Sequence, residues 1–364
     1  MIKSNAPARV LVVDDSAVMR QLLTTLLSDD PEIEVVGTAA DPHIARERIK
    51  ALNPDVITLD VEMPHMDGLT FLRKIMTLRP TPVVMVSTLT QAGAETTLEA
   101  LEIGAVDFVA KPTADVANAR SVLAAELQAK VKAAARTRVG ASRSAPVPQP
   151  PPRQRTGRPA DKLIAVGAST GGVEALKILL MGLPADCPPM LVTQHMPARF
   201  TAAFAERLNR ECPMKVSEAV NGEVIEPGHV YIAPGSHHLE LARHTGHHIC
   251  VISDGPPVSG HRPSVDVLFH SVAKIAGKKA VGVILTGMGK DGAEGMLEMS
   301  KSGAITLGQD EQSSLIYGMP RVAFERGAVK KQFPLTHLAD AILDACESEG
   351  TREGPSSRHS VDAA

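Results

Sequence analysis

The segment Leu163-Ile-Ala-Val-Gly-Ala-Ser-Thr-Gly-Gly172 decides the fold of the second half of this chain. Its apolar start predicts a buried β-strand, and the helical spacing of Val173–Leu180 predicts a helix directly after it. Gly167 and Gly171 flank Ser169 in the G-x-S-x-G spacing, in which small neighbours allow a sharp turn that exposes the hydroxyl. Because glycine-rich strand-helix turns also bind phosphates, this segment alone leaves both interpretations open.

Strands and helices alternate on both sides of this segment. Apolar runs predict further buried strands at Met190–Thr193, Val281–Leu285 and Ala304–Leu307. Helices are predicted to begin near Gly172, Phe200, Val265 and Ala293. This alternation predicts a doubly wound α/β domain over residues 161–348, with a small antiparallel β element over Glu218–Ser253 and a disordered tail over 349–364.

Two polar residues at strand ends complete a predicted catalytic group. His195 follows the strand Met190–Thr193, and Asp291 follows the strand Val281–Leu285. Because the carboxyl ends of parallel strands meet at one sheet edge, we expect Ser169, His195 and Asp291 to lie together as nucleophile, general base and orienting carboxylate. A G-x-G-x-x-G match around Asp291 could instead bind a dinucleotide, although that motif normally follows the first strand of its domain.

The first half of the chain predicts a separate five-stranded parallel sheet of the flavodoxin-like kind. Its strands are predicted at Val10–Val13, Glu34–Val36, Val56–Leu59, Val83–Val86 and Val106–Val109. Helices are predicted at Ala17–Leu27, Pro42–Leu52, Leu69–Leu78, Ala94–Ile103 and Ala117–Ala135. We expect this domain to span residues 8–127, followed by a linker over 128–160 that is rich in Pro and Arg. A docking role of this basic linker is the alternative.

Acidic residues collect at the predicted carboxyl edge of the first sheet. Asp14 and Asp15 follow the first strand, Asp60 follows the third, and Ser87 and Lys111 follow the last two. Three carboxylates at one edge repel one another unless a cation lies between them, and Mg2+ prefers such oxygen ligands. An incoming phosphoryl group would then be held against Asp60, with Ser87 and Lys111 contacting its oxygens. Isolated helix-capping Asp residues would explain each acid singly, but not the set.

Composition argues against several classes of function. A net charge of −3 leaves no basic excess for nucleic acid, and an aromatic content of 2% without Trp disfavours base stacking. No apolar run approaches the roughly 20 residues that span a bilayer, and the first residues lack the apolar region of a secretory signal. The four cysteines are widely separated, as in reduced proteins. We therefore expect a cytoplasmic protein without membrane insertion or a nucleic acid partner.

From about Ala8 to Ala125 the chain resembles response-regulator receiver domains. The matching motifs are VVDDS (12–16), LDVEMPHMDG (59–68), VMVS (84–87) and FVAKP (108–112). The resemblance implies phosphorylation at Asp60, with Asp15, Asp60 and the backbone carbonyl of Glu62 binding Mg2+ and Asp14 acting through water. It also implies that Phe108 is an aromatic switch.

From Lys162 to Ser348 the chain resembles the catalytic domain of chemotaxis protein-glutamate methylesterases, the CheB family. The matching motifs are GASTGG, TQHMP, VYIAPG, GPPVSGHRPSVDVLF and TGMGKDGAEG. The resemblance implies catalysis by Ser169, His195 and Asp291, and an oxyanion site formed by Thr170 and the Met288 N–H. It also implies that Arg262 lies near the substrate and that the catalytic domain needs no cofactor.

The family implies hydrolysis of glutamate methyl esters, and deamidation of glutamines, on methyl-accepting chemoreceptors during bacterial chemotaxis. The implied phosphodonor is a histidine kinase of the CheA type. We expect the receiver to cover the Ser169 edge until Asp60 is phosphorylated. The alternatives are a non-catalytic regulator that binds a partner through the second half, and a dehydrogenase that uses the late glycine motif. We expect the histidines of residues 237–248 to lie in solvated loops.

Overall fold

The computed structural model describes residues 6–63, 66–88, 90–111, 117–137, 139 and 162–347. The first domain contains strands β1 (Ala8–Val13), β2 (Ile33–Ala39), β3 (Val56–Asp60), β4 (Val83–Ser87) and β5 (Asp107–Ala110). Its helices are α1 (Ala17–Ser28), α2 (Pro42–Leu52), α3 (Gly68–Leu78), α4 (Gln91–Ile103) and α5 (Ala117–Ala135). The strands form one parallel sheet in the order β2-β1-β3-β4-β5, which confirms the predicted architecture.

Local sequence signals fix where the helices of this domain begin. The side chains of Ser16, Asp41 and Asp67 each accept a hydrogen bond from a backbone N–H in the first turn of α1, α2 and α3. Such short polar side chains satisfy donors that the helix itself leaves unpaired. The strands β3 and β4 are buried along their whole length because helices cover both faces of the sheet.

Helix α5 extends beyond the expected end of the first domain. The sequence-based boundary lies between residues 127 and 128, whereas the helix continues to Ala135. It continues because Leu127, Val131 and Ala134 are all buried in the core of this domain. Of the predicted linker, residues 138 and 140–160 lie outside the described residues, as does the predicted tail over 349–364.

The second domain is also an α/β structure. Its strands are β6 (Leu163–Ala168), β7 (Met190–Gln194), β8 (Lys215–Glu218), β9 (His229–Ile232), β10 (His238–His244), β11 (His247–Ser253), β12 (Ala280–Ile284), β13 (Ile305–Gln309) and β14 (Lys331–Phe333). Its helices are α6 (Gly172–Met181), α7 (Ala198–Glu211), α8 (Val265–Ile275), α9 (Ala293–Lys301), α10 (Met319–Glu325) and α11 (Leu335–Glu347). Seven strands form one parallel sheet in the order β14-β13-β12-β6-β7-β9-β8.

The antiparallel element predicted over Glu218–Ser253 corresponds to the two-stranded pair of β10 and β11. The structure differs in that β9, within the same range, joins the parallel sheet between β7 and β8. Strands β8 and β9 have only four residues each and are connected without a helix, so the strand-helix pattern did not reveal them.

The core of the second domain positions the central strand β6, every residue of which is buried. The buried rings of Phe200 and Phe204 belong to one apolar cluster with alternate residues of β6, and those of Phe269 and Tyr231 belong to the cluster that contains the other apolar side chains of this strand. No disulfide joins the four cysteines, all of which lie in the described ranges. Within the same ranges, no helix is long and apolar enough to cross a membrane.

Candidate functional site

Ser169 lies at the carboxyl end of β6, on the sharp turn into α6. The backbone of the turn is fixed by a hydrogen bond of 3.1 Å, which the Ser169 N–H donates to the Thr286 carbonyl. Glycines are required around it for reasons of space. A Cβ on Gly167 would lie 2.2 Å from Val265 Cγ1, and Gly171 has a φ of 80°. The turn therefore presents a partly exposed serine hydroxyl at the sheet edge.

His195 and Asp291 meet at the same edge. His195 Nε2 lies 2.8 Å from Asp291 Oδ2, in a side-chain pair that is almost fully buried. Asp291 also accepts hydrogen bonds from Ser264 Oγ at 2.8 Å, the Val265 N–H at 2.7 Å and the Asp266 N–H at 3.1 Å. Burial alone would raise the pKa of Asp291, but the bonds from His195, Val265 and Ser264 hold it well below its usual range. Asp291 is therefore an anion that fixes one ring nitrogen of His195.

The other ring nitrogen of His195 is available for proton transfer. His195 Nδ1 is buried and has no hydrogen-bond partner among the described residues. Since Nε2–H donates to Asp291, Nδ1 carries the lone pair of the neutral ring. Ser169 is not yet bonded to this nitrogen, as is common in proteins without substrate, where catalytic hydrogen bonds are often long. This pair can act as a general base for a nearby hydroxyl.

A second imidazole, which the sequence analysis missed, lies flat against the first. The His261 ring is stacked on His195 with 3.8 Å between centroids and an 8° angle between the ring planes. Its Nδ1 lies 2.9 Å from the Ser259 carbonyl. Burial, followed by the effect of His195, lowers the pKa of His261 to about 4. His261 directly precedes Arg262 in a loop, where no regular spacing distinguishes it as a site residue.

Gln194 also went unnoticed in the sequence. Its side-chain Nε2 donates to the Ser169 carbonyl at 2.9 Å and to the His195 carbonyl at 3.1 Å. A Cβ on Gly172 would lie 2.0 Å from Gln194 Oε1, so the glycine makes room for this side chain. One buried amide thus ties the backbone of the predicted nucleophile to that of the predicted base.

The other residues predicted for this edge are Met288, Thr170 and Arg262. Gly287 packs on Ser169, because a Cβ there would lie 2.9 Å from Ser169 Cβ, and this places the backbone of Met288 next to the serine turn. Thr170 is buried, and its hydroxyl donates to Asp107 of the first domain. Arg262 is exposed, and its Nη1 donates to backbone carbonyls at 3.2 Å (Asp254) and 3.0 Å (Gly255).

The acidic cluster forms at the predicted edge of the first sheet. Carboxylate oxygens of Asp14, Asp15 and Asp60 all lie within 4.8 Å of one another. Lys111 Nζ lies 2.8 Å from Asp60 Oδ2 and 3.2 Å from Asp14 Oδ2. Burial, only partly offset by Lys111, raises the pKa of Asp60 to about 6, and the neighbouring Asp14 adds to this. Three carboxylates this close together outnumber the single Lys111 ammonium, and their oxygen atoms are the ligand type that a divalent cation prefers, so the cluster fits such an ion.

Of the other predicted residues of the first domain, Ser87 and Glu62 make contacts within that domain, whereas Phe108 contacts the second domain. Ser87 Oγ lies 3.3 Å from the Gly93 carbonyl and accepts a hydrogen bond from Thr97 Oγ1 at 2.7 Å, so its hydroxyl is engaged by α4. Glu62 donates its N–H to Asp60 Oδ1 at 3.2 Å. The Phe108 ring is buried, 4.4 Å from the Phe200 ring of the second domain.

The first domain covers the side of the second domain next to Ser169. Helix α4 packs against α6 and α7. Glu102 of α4 pairs with Lys177 of α6 at 2.8 Å and with Arg207 of α7. Asp107, which bonds Thr170, is itself paired with Lys130 at 3.3 Å. Polar, apolar and charged contacts therefore join the two domains, and one of them is made by Thr170, the residue that follows Ser169.

The histidines of residues 237–248 do not all lie in solvated loops. His238 begins β10 and is buried, its Nδ1 accepting a hydrogen bond from the Ser264 N–H at 3.1 Å. Its Nε2 lies 3.1 Å from the Pro256 carbonyl. The expectation was wrong for this residue because an alternating strand, not a turn, carries it. His244 and His247 are exposed at the β10–β11 turn.

Comparisons with known proteins agree with both halves of this description. A family model described as CheB methylesterase matches residues 164–342, and a model described as response regulator receiver domain matches residues 10–121. The crystal structure of the Thermotoga maritima CheB methylesterase catalytic domain is 34% identical in sequence and aligns with a TM-score of 0.50. It covers 50% of this chain and 97% of that one.

Curated relatives match almost from end to end. A protein-glutamate methylesterase/protein-glutamine glutaminase 1 of Xanthomonas campestris pv. campestris is 56% identical over 349 residues, covering 93% of this chain and 97% of the relative. The protein of the same name in Caulobacter vibrioides is 59% identical over 340 residues, covering 93% and 98%. These matches confirm the family resemblance of both domains.

Proposed function

Because the chain belongs to the protein-glutamate methylesterase/protein-glutamine glutaminase family, we propose that it hydrolyses glutamate γ-methyl esters, and glutamine side-chain amides, of chemoreceptors. The observation that carries this proposal is the 2.8 Å contact between His195 Nε2 and Asp291 Oδ2 beside the turn that presents Ser169. It leaves His195 Nδ1 as the nitrogen that can take a proton from the serine.

The reaction follows from the proposed roles of these groups. Ser169 Oγ attacks the ester carbonyl carbon while its proton passes to His195 Nδ1. Backbone N–H groups of Thr170 and Met288 donate to the oxyanion. His195 then protonates the methoxy oxygen, methanol leaves, and an acyl-enzyme remains. Water attacks the acyl carbon as His195 takes its proton, and Ser169 departs with that proton, releasing the glutamate carboxylate.

Asp291 and Arg262 have supporting parts in this scheme. Asp291 stabilises the imidazolium that forms during each half-reaction, and its hydrogen bonds from Ser264, Val265 and Asp266 keep it ionised. We place Arg262 near the substrate because it directly follows His261, which lies on the catalytic histidine. An amide substrate needs the same steps, with ammonia as the leaving group.

We also propose that the first domain is a receiver whose phosphorylation at Asp60, by a histidine kinase of the CheA type, releases the catalytic edge. The residues that would hold Mg2+ are Asp15, Asp60 and the Glu62 carbonyl, with Asp14 acting through water. Bound there, the cation would neutralise the carboxylates and the phosphoryl oxygens. Ser87 and Lys111 would bind the phosphate, and Phe108 would be the aromatic switch. We place this regulation in the cytoplasm, where such kinases act.

Contacts of α4 support this regulation. A phosphate on Asp60 would draw the Ser87 hydroxyl away from Gly93 and Thr97, the first turns of the helix that packs on α6 and α7. Loosening α4 weakens the cover, and a change of about 1.4 kcal/mol shifts the closed and open populations tenfold.

The catalytic assignment is tested by replacing Ser169. Ser169→Ala should abolish methanol release from methylated receptor, while Ser302→Ala, at the far end of α9, should retain it. Labelling by a serine-directed ester reagent should disappear in the first variant only. Unchanged turnover in Ser169→Ala would exclude this serine, and no turnover by the wild-type protein on any methylated receptor would favour a binding regulator.

The regulatory assignment is tested separately with a small-molecule phosphodonor and Mg2+. Asp60→Asn should prevent both phosphoryl incorporation and activation, whereas Asp29→Asn, on the exposed end of α1, should prevent neither. Mg2+ should shift the backbone amide NMR signals of residues around Asp60 before any phosphodonor is added. Activation that persists in Asp60→Asn would show that another residue receives the phosphoryl group.

A further inference from the structure

The second imidazole at the catalytic edge has no part in the reaction described above. The His261 and His195 rings are almost parallel and in van der Waals contact, with centroids 3.8 Å apart. Parallel stacking is one of the favourable arrangements of aromatic rings, and a centroid distance as short as this means that the two rings overlap extensively. A flat contact covers one whole face of the catalytic ring, so it restricts the rotation of that ring about its side-chain bonds.

His261 is itself held rigidly. The residues Val258 and His261 exchange backbone hydrogen bonds of 3.0 and 2.9 Å across a tight turn. Ser259 and Gly260, between them, have φ values of 53° and 81°, as such a turn requires. The ring is then oriented by the contact of 2.9 Å between its Nδ1 and the Ser259 carbonyl. A side chain fixed at its backbone and at its ring can position another group.

The same short segment also holds the catalytic carboxylate. Three residues after His261, the Ser264 hydroxyl and then the Val265 and Asp266 N–H groups bind Asp291. One stretch of chain therefore fixes the plane of His195 through His261 and its in-plane rotation through Asp291. Together these contacts hold the plane and the rotation of the His195 ring, while its Nδ1 has no hydrogen-bond partner among the described residues.

A metal site is the obvious alternative for two histidines and an aspartate. Nitrogen and oxygen atoms of His195, His261 and Asp291 lie within 4.8 Å of one another. However, the lone pair of an imidazole nitrogen lies in the plane of its ring, and parallel stacked rings direct their lone pairs along parallel planes. They cannot converge on one ion without breaking the stack, so the geometry disfavours a metal.

We propose that His261 is a positioning residue for the methylesterase reaction, which acts by stacking on His195 and holding its Nδ1 towards Ser169. This inference rests on the proposed function of Ser169 and His195. Because its pKa is lowered to about 4, His261 is neutral under ordinary conditions and does not repel the imidazolium that forms on His195. The stack also covers one face of the His195 ring, whose contact with the Asp291 carboxylate is almost fully buried.

The test compares three variants of the full-length protein, all activated with phosphodonor and Mg2+. His261→Ala removes the stack and should lower kcat about tenfold or more while leaving KM for methylated receptor nearly unchanged. His261→Phe restores a flat ring without nitrogens and should recover most of the lost kcat. His247→Ala, at the exposed turn between β10 and β11, is the matched control and should behave as wild type.

Two readouts separate positioning from other roles. The proton resonance of His195 Nε2–H, hydrogen-bonded to Asp291, should broaden in His261→Ala and return in His261→Phe. If His261→Phe is as inactive as His261→Ala, the ring nitrogens act chemically and the positioning role is wrong. Wild-type kcat in His261→Ala would also overturn it. Inactivity of the wild-type protein itself would instead refute the proposed function.

Discussion

Glu102 offers the sharpest test of the proposal that the receiver restrains the enzyme. It is the one carboxylate of α4 for which the described contacts show pairing with both α6 and α7, through Lys177 and Arg207. The three side chains keep only 20–25% of their exposed area, so their charges are partly shielded from water. Glu102→Gln preserves size and removes the charge from both pairs at once.

The expected magnitude follows from these contacts. A partly buried ion pair contributes about 1 kcal/mol, so removing two pairs destabilises the closed state by up to about 2 kcal/mol. Lys177 and Arg207 keep a second partner in Glu211, which lowers the expected loss to about 1–2 kcal/mol. Since 1.4 kcal/mol corresponds to a factor of ten, unphosphorylated activity should rise about fivefold to thirtyfold, up to the phosphorylated level.

The assay is the initial rate of methanol release from methylated receptor without phosphodonor. The matched control is Glu99→Gln, because Glu99 lies on the same helix but pairs with Arg73 inside the receiver. Activity after phosphorylation should be the same in both variants and in the wild type. An unphosphorylated rate of Glu102→Gln within twofold of that of Glu99→Gln would refute a restraining role of Glu102.

Three further predictions concern single contacts. Burial raises the pKa of Asp60 to about 6, so the contribution of its protonated form to the free energy of unfolding is present at pH 4 and is lost as the pH rises through 6. Urea unfolding of the wild type at pH 4.5 and 7.5 should therefore differ by about 2–3 kcal/mol from this group, and Asp60→Asn should remove that difference. Gly167→Ala would place Cβ 2.2 Å from Val265 Cγ1 and should lower both the free energy of unfolding, by about 1–3 kcal/mol, and kcat; an unchanged thermal midpoint would contradict this. Ser264→Ala removes a 2.8 Å hydrogen bond to the Asp291 carboxylate, so kcat should fall about tenfold at constant KM, and a change in KM alone would count against it.

Much of the architecture was predictable because parallel strands carry a strong signal. A strand buried on both faces must be apolar throughout, as in Val83–Val86, and the polar residue that ends it is then conspicuous. The same logic predicts Ser169, His195 and Asp291 at one edge from the sequence, since each follows a strand of one sheet.

The parts that escaped prediction depend on contacts between distant segments. Strands β8, β9 and β14 are four residues or fewer, and a strand this short shows too few alternations to distinguish it from a turn. His261 lies in a loop, where no periodicity directs its ring towards His195. The contact of Asp107 with Thr170 joins two domains, and no local pattern encodes the pairing of separate domains.

The binding of Asp291 has a consequence for the stability of the fold. Helix α8 begins at Val265, and the residue before it, Ser264, gives no side-chain hydrogen bond to the first turn. Asp291, 26 residues further along the chain, accepts the Val265 N–H and also the Asp266 N–H. The Asp291 carboxylate, which we propose acts in catalysis, thus also serves as the N-cap of this helix although it lies far from it in the sequence. A relative that had lost esterase activity would still need an acid at this position to cap α8, so the presence of Asp291 alone does not identify an active enzyme.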